Sequence, residues 1–178
     1  LKDPKLARHC RAVVNYSEYI AKELGNVPPA QMKKLKDAAM LHDIGKIMVD
    51  SVILNKKERL SDREYLQVKG HSERGMRILS YFSANDITTD VAWHHHERWD
   101  GGGYPDGLKG DEIDYLTQIV TVADAIDAMA ENRPYRMHLS DLEIIGQLEQ
   151  EKGKQFNPEV ADAAIRVIKK QMGMENAN

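Results

Sequence analysis

The sequence predicts an all-helical domain, on three observations. Apolar residues recur at helical spacing along most of the 178 residues. Helix-start signals punctuate the chain, and the period-two alternation of half-buried strands is scarce. Asp3-Pro4 is a capping residue followed by a proline at the first helical position, and the pattern it opens runs to Leu24, with Gly25 as the stop. Pro28-Pro29 begin a second helix carrying Met32, Leu35, Ala38, Ala39 and Leu41 on one face. Ser61 with Glu64, and Ser140 with Glu143, have the spacing of capping boxes. Asn157-Pro158 repeats the cap-then-proline signature before a last helix through Ile165 and Ile168. Two stretches depart from this: 47–60 reads as a loop with room for a short extended pair, and the glycine-rich 97–111 cannot be helical.

Composition narrows the classes. Hydrophobic residues make up 42% and charged residues 30% of a chain with net charge −3, which gives no general attraction to nucleic-acid polymers or anionic membranes. An anionic ligand would have to be held by local cations. The single cysteine, Cys10, excludes a disulfide framework and predicts a reducing, cytoplasmic location. No apolar run approaches the roughly 20 residues of a membrane helix. The chain opens on Leu1 rather than Met, so residues 1–178 are expected to be one domain excised from a longer protein.

Chemistry concentrates in five places. An apolar helix ends in His42-Asp43, where a turning chain can let a nitrogen and a carboxylate converge on a metal; a histidine at the helix dipole with an aspartate capping the next turn is the alternative. His94-His95-His96 sit in a helical stretch between Trp93 and Trp99, hard to explain as packing; an exposed polar face is the alternative. Asp124 lies in the middle of a segment apolar on nearly every side, so it must meet a metal, a donor set or a cation such as Arg133, with Asp127 three residues on sharing part of its face. Glycines 101, 102, 103 and 107 shape a loop from which Tyr104 projects ahead of Pro105, or else form a plain loop tip. Arg133 and Arg136 supply guanidinium forks suited to phosphate, though alone they read as solvated surface. His9 and His71 are isolated, and only the other clusters raise them above surface histidines.

The full ordered string is His42-Asp43-Ile44-Gly45-Lys46, Ile53-Leu54-Asn55-Lys56, Gly70-His71, His95-His96-Glu97-Arg98-Trp99-Asp100-Gly101, Gly103-Tyr104-Pro105, Gly107-Leu108-Lys109-Gly110, Val122-Ala123-Asp124, Arg133-Pro134-Tyr135-Arg136 and Gln155-Phe156-Asn157-Pro158. It resembles the HD-GYP family of the HD phosphohydrolase superfamily along nearly the whole chain. The resemblance implies a helical HD-domain bundle with a glycine-rich loop. It also implies a hydrolase of bacterial signalling that opens cyclic di-GMP to linear pGpG, GMP or both, through a hydroxide bridging two metals. By motif position the metal ligands would be His9, His42, Asp43, His71, His95, His96 and Asp124. Asp43 would bridge two divalent transition ions, iron or manganese first, with nickel or zinc compatible with the same ligands. Asp43 and Lys46 would be the catalytic residues, and Lys46, Tyr104, Arg133 and Arg136 would contact substrate. A fused sensor or receiver domain, a homodimer and a signalling-protein partner belong to the same expectation. The alternatives are a phosphodiesterase for another cyclic dinucleotide, such as cyclic GMP-AMP, and a module that senses the nucleotide without cutting it.

Three positions depart from the family pattern: Lys5, Lys57 and Ser72. Members with three metals carry a glutamate where Lys5 stands, one helical turn before His9. A lysine has no acceptor and repels a cation, so two metals per chain are expected. Elemental analysis of protein purified without chelators gives that number directly, and three fully occupied ions would overturn it.

Overall fold

The computed structural model describes residues 4–82, 86–131 and 138–174. It is helical, and among the described residues it has no strand beyond an isolated bridge between Lys152 and Phe156. In chain order the helices are α1 (Pro4–Leu24), α2 (Pro29–Leu41), α3 (Ser51–Leu54), α4 (Asp62–Lys69), α5 (His71–Tyr81), α6 (Asp86–His94), α7 (Tyr115–Ala130), α8 (Asp141–Glu151) and α9 (Pro158–Gln171). Short 3-10 turns fill Ile44–Met48 and Gly110–Glu112. No helix among the described residues is long and apolar enough to cross a membrane.

Helix α7 is the central element that its apolar sequence requires. Ile119, Val120, Val122, Ala123 and Ile126 are all buried, and α7 packs against α1, α6, α8 and α9. Helix α1 contributes Val13, Ile20 and Ala21, α2 contributes Leu35, Ala38 and Ala39, and α9 brings Val160, Ile165 and Ile168 to the same core. Each fully buried branched aliphatic side chain stabilises this arrangement by about 1.5–3 kcal/mol relative to exposure. The result is a rigid frame whose polar residues face one end.

Asp3 lies outside the described residues, and the other helix-start signals act as the sequence predicts. Ser61 and Ser140 close capping boxes with Glu64 and Glu143. The Asn157 side chain accepts from the backbone N–H groups of Glu159 and Val160 at 2.8 and 3.3 Å, and its amide donates to Gln118 Oε1 at 2.6 Å, which fastens the start of α9 to α7. Residues 47–60 differ from expectation. No extended pair forms, because Asp50 accepts from the Val52 N–H at 2.9 Å and starts the single helical turn α3. The histidine run differs too: α6 ends at His94, and His95 and His96 lie in the turn beyond it.

Gly45 shows how tightly the site's supports approach. A Cβ there would fall on the backbone carbonyl of His71, and 2.6 Å from the Gly75 nitrogen. Only glycine lets the 3-10 turn after Asp43 lie directly on α5. Gly45→Ala is therefore expected to destabilise the fold by about 1–3 kcal/mol or more and to lower metal content by displacing His71 from Asp43. Urea unfolding with parallel metal analysis checks both, and unchanged values would contradict the contact.

Candidate metal centre

The seven residues picked out as metal ligands come from five places in the chain and meet at one end of the frame. His9 projects from α1 and Asp124 from α7, while His71 is the first residue of α5. His42 and Asp43 follow the last residue of α2: His42 keeps helical angles, and Asp43, at φ −100° and ψ 12°, turns the chain so that both side chains face inward. His95 and His96 converge by the same device beyond α6.

Asp43 lies at the centre with 2% of its surface exposed. Its two oxygens face different neighbours. Oδ2 is 3.6 Å from His9 Nε2 and 3.5 Å from His42 Nε2, and Asp124 Oδ1 lies 3.2 Å from that His9 nitrogen. Oδ1 is 3.2 Å from His71 Nε2 and 3.8 Å from His95 Nε2. His71 Nε2 in turn lies 3.2 Å from His95 Nε2 and 3.3 Å from His96 Nε2. Two triads, His9–His42–Asp124 and His71–His95–His96, each present ligand atoms within 4.8 Å of one another.

The protonation pattern suits a cation. His42 Nδ1 donates to the Ala39 carbonyl at 2.8 Å, His71 Nδ1 to Val68 at 2.7 Å, and His95 Nδ1 to Val91 at 2.9 Å. A carbonyl only accepts, so the proton sits on Nδ1 and the Nε2 lone pair faces the centre. His71 and His95 thus turn Nε2 lone pairs toward each other at 3.2 Å, an arrangement that lacks a positive charge. His42 Nε2 and Asp43 Oδ1 are buried without a hydrogen-bond partner, and such orphaned atoms are rare unless an ion or water completes them. These donors, imidazole nitrogen and carboxylate oxygen, suit divalent transition metals.

The charges agree. Burial, reinforced by the surrounding imidazoles, holds His95 well below the usual histidine range, and burial brings His96 down to about 4, so both are neutral. Burial opposes ionisation of Asp43 and Asp124, but their neighbours outweigh it, chiefly Lys46 at Asp43 and the His9 hydrogen bond at Asp124; both stay well below the carboxylate range. Burial also opposes charge on His9, yet hydrogen bonds with Asp124, Asp127 and Asp43 push it up to about 12. The carboxylates that favour a proton there favour any cation in its place.

Other residues support this centre. Asp127 Oδ2 accepts from His9 Nδ1 at 2.6 Å and so orients that ring; the sequence shows only that it shares a face with Asp124. Lys46 Nζ donates to Asp43 Oδ2. His94 takes no part, as it is held between Asp90 and Asp106 at 2.8 and 3.0 Å. Tyr104 stacks on His96 with ring centroids 4.9 Å apart, and it lines a cavity of about 470 Å³ beside His95, His96 and Asp124. Arg133 and Arg136 lie outside the described residues.

Glu97 is the main residue that sequence reasoning passed over. It is buried to 2% exposure, and its Oε1 accepts from the backbone N–H groups of Asp106 and Gly107 at 2.7 and 3.0 Å. Gly103 lies so close to the Glu97 and Arg98 backbone that a Cβ could not be accommodated. Together they fold the glycine-rich loop back over the histidines.

Residues 1–160 match a family model described as HD domain. The chain belongs to the HD-domain family. Its ordered motifs are those of the HD-GYP type. A cyclic di-GMP phosphodiesterase of Thermotoga maritima is 39% identical over 170 residues, covering 94% of this chain and 46% of that protein. A 3'3'-cGAMP-specific phosphodiesterase of Vibrio cholerae is 37% identical over 167 residues, covering 94% of this chain and 36% of the other. The HD domain described here thus spans less than half the length of these curated relatives. Among solved structures, an HDG"Y"P protein from Bdellovibrio bacteriovorus superposes with a TM-score of 0.76 at 20% identity, over 92% of this chain and 52% of that one. At that identity the likeness is one of fold.

Removal of the Glu97 carboxylate leaves two loop amides without an acceptor. Glu97→Ala is expected to speed hydrogen exchange at Asp106 and Gly107 about tenfold or more, since each lost partner costs roughly 1–3 kcal/mol. Unchanged exchange at those two amides would mean that the loop is held by other contacts.

Proposed function

We propose that this HD domain is a metal-dependent phosphodiesterase that opens cyclic di-GMP to linear pGpG, GMP or both. The observation that carries the reading is Asp43, whose two oxygens each face a separate triad of ligands. In this reading two divalent ions would be held here, one by His9, His42 and Asp124 and the other by His71, His95 and His96, with Asp43 shared between them. Iron or manganese is favoured, and nickel or zinc suits the same donors. When bound, such ions lower the pKa of water and neutralise charge on a phosphate oxygen.

The chain's own residues have separate tasks. Asp127 and the carbonyls of Ala39, Val68 and Val91 fix the ligand rings, so little rearrangement is needed during reaction. Lys46 holds Asp43 Oδ2 and borders a smaller cavity shared with Lys5 and His9, where an ammonium suits a substrate phosphate. Tyr104 stacks on His96 and carries Lys69 Nζ 4.2 Å from its ring centroid, so it shields the His96 side from water and presents its edge and hydroxyl to the substrate. Arg133 and Arg136 are assigned by motif position to a distal phosphate or a guanine edge. A cytoplasmic location, a fused sensor or receiver domain, and a homodimer or signalling-protein partner belong to the same proposal.

Cyclic GMP-AMP, on which the similar Vibrio cholerae enzyme acts, is the alternative substrate, and cyclic di-GMP remains the main reading. A module that only senses the nucleotide is disfavoured, because all seven ligand positions are filled and brought together.

The test is to incubate anaerobically purified protein, loaded with iron or manganese, with cyclic di-GMP and to separate the products. Linear dinucleotide or GMP is expected, and binding without cleavage would favour the sensor. Asp43→Ala should lose metal and activity together. Retention of both ions in that variant would contradict the bridging role.

A further inference from the structure

The cavity beside the metal centre has two chemically different ends. One is formed by His95, His96 and Asp124; the other includes Arg98, Glu151 and Gln155. Its volume, about 470 Å³, is in the range of pockets that enclose small organic ligands.

Arg98 would be the obvious phosphate binder at the far end, yet it is already engaged. Its Nε and Nη2 donate to the two oxygens of Asp100 at 3.1 and 2.8 Å, its Nη1 to Gln155 Oε1 at 3.2 Å, and its Nη2 also to Glu151 Oε2 at 3.3 Å. Two carboxylates therefore engage one guanidinium, and of the two Glu151 lines the cavity. With the guanidinium so occupied, Glu151 favours a group that donates hydrogen bonds. Glu151 is also pinned through its backbone: its carbonyl accepts from the N–H groups of Lys154, Gln155 and Phe156 at 3.0, 3.0 and 3.2 Å. Its carboxylate is an oriented acceptor on a fixed support.

We propose that Glu151 is a specificity-determining residue that accepts the N1–H and N2–H of a guanine, with the Gln155 amide left to donate to O6. The proposal rests on the phosphodiesterase reading for its ligand and names the base that the site selects. Guanine offers two adjacent donors on its pairing edge, which a carboxylate receives as charge-assisted hydrogen bonds. Adenine has an acceptor at N1, and its lone pair would face the carboxylate. Tyr65, 53% exposed at the border of the same cavity, supplies a ring on which a purine can stack. One such reader accepts cyclic di-GMP and cyclic GMP-AMP alike and discriminates against cyclic di-AMP.

The test separates base recognition from hydrolysis. Calorimetry on the manganese-loaded 178-residue chain uses GMP and AMP, which carry one base and no phosphodiester. GMP is expected to bind about ten- to a hundredfold more tightly, the range of one or two charge-assisted hydrogen bonds. E151Q should bring the GMP-to-AMP ratio close to one. Should E151Q fail to fold, E151D draws the carboxylate back by one methylene and should lower the same ratio. Equal affinities in the wild type, or equal weakening of both nucleotides in the variant, would overturn the proposal. Hydrolysis of cyclic di-GMP and cyclic di-AMP is measured in parallel. Base preference without cleavage would refute the phosphodiesterase reading alone, and cleavage without base preference would refute the role of Glu151 alone.

Discussion

A carboxylate at 2% exposure, facing three imidazole nitrogens that carry lone pairs rather than protons, governs the rest of this structure. Placed in the interior without a cation, Asp43 would be costly. Lys46 meets one of its oxygens, and the histidines meet both only at distances of 3.2–3.8 Å. The chain tolerates this because the frame around it is rigid. Helix α7 is buried along most of its length, and the elements bearing the polar residues are packed on it, on α1 and α2 or, for α5, on α6 and the 3-10 turn after Asp43. The helical core thus keeps together a set of groups that would otherwise relax apart.

Helix ends make the arrangement possible. The carbonyls in the last turn of a helix have no intrahelical partner. Ala39, Val68 and Val91 lie in the last turns of α2, α4 and α6, and each accepts from the Nδ1 of a centre histidine. A single hydrogen bond in each case satisfies or reinforces a helix end, selects the tautomer and aims Nε2. That is why the site is built where helices stop. It also explains why the short 3-10 turn after Asp43 must lie hard against α5, a closeness that requires Gly45.

This logic sets what could be read in the sequence. The helical architecture was legible because the periodicity and the caps at Ser61, Ser140 and Asn157 are local signals, and the structure uses each of them. His42-Asp43 and the histidine run stood out because adjacent ligands are unusual at the end of an apolar segment. His9 and His71 are lone histidines, and only the family resemblance singled them out; their role depends on contacts that span the chain. Glu97 and Asp127 were hidden for a different reason. They act by orienting a loop and a ring, and an acidic residue doing so looks like any other acidic residue. The end of α6 was misplaced because His94, His95 and His96 are identical in type, whereas only the first continues the helix and pairs with Asp90.

The charge distribution links the two ends of the cleft. At the metal centre the carboxylates of Asp43, Asp124 and Asp127 outnumber the charges of Lys46 and the protonated His9, and at the far wall Arg98 is already engaged by Asp100 and Glu151. By side chains alone, the cleft is acidic at the metal end and offers no unengaged guanidinium at Arg98, in a chain whose net charge is −3. An anionic nucleotide entering it would meet repulsion rather than steering. Cations held by the histidines reverse the sign at one end only. A ligand with phosphates and bases then has a single favourable orientation, phosphate toward the histidines and a donor-bearing base edge toward Glu151. Metal binding and substrate orientation are therefore consequences of the same deficit of positive charge.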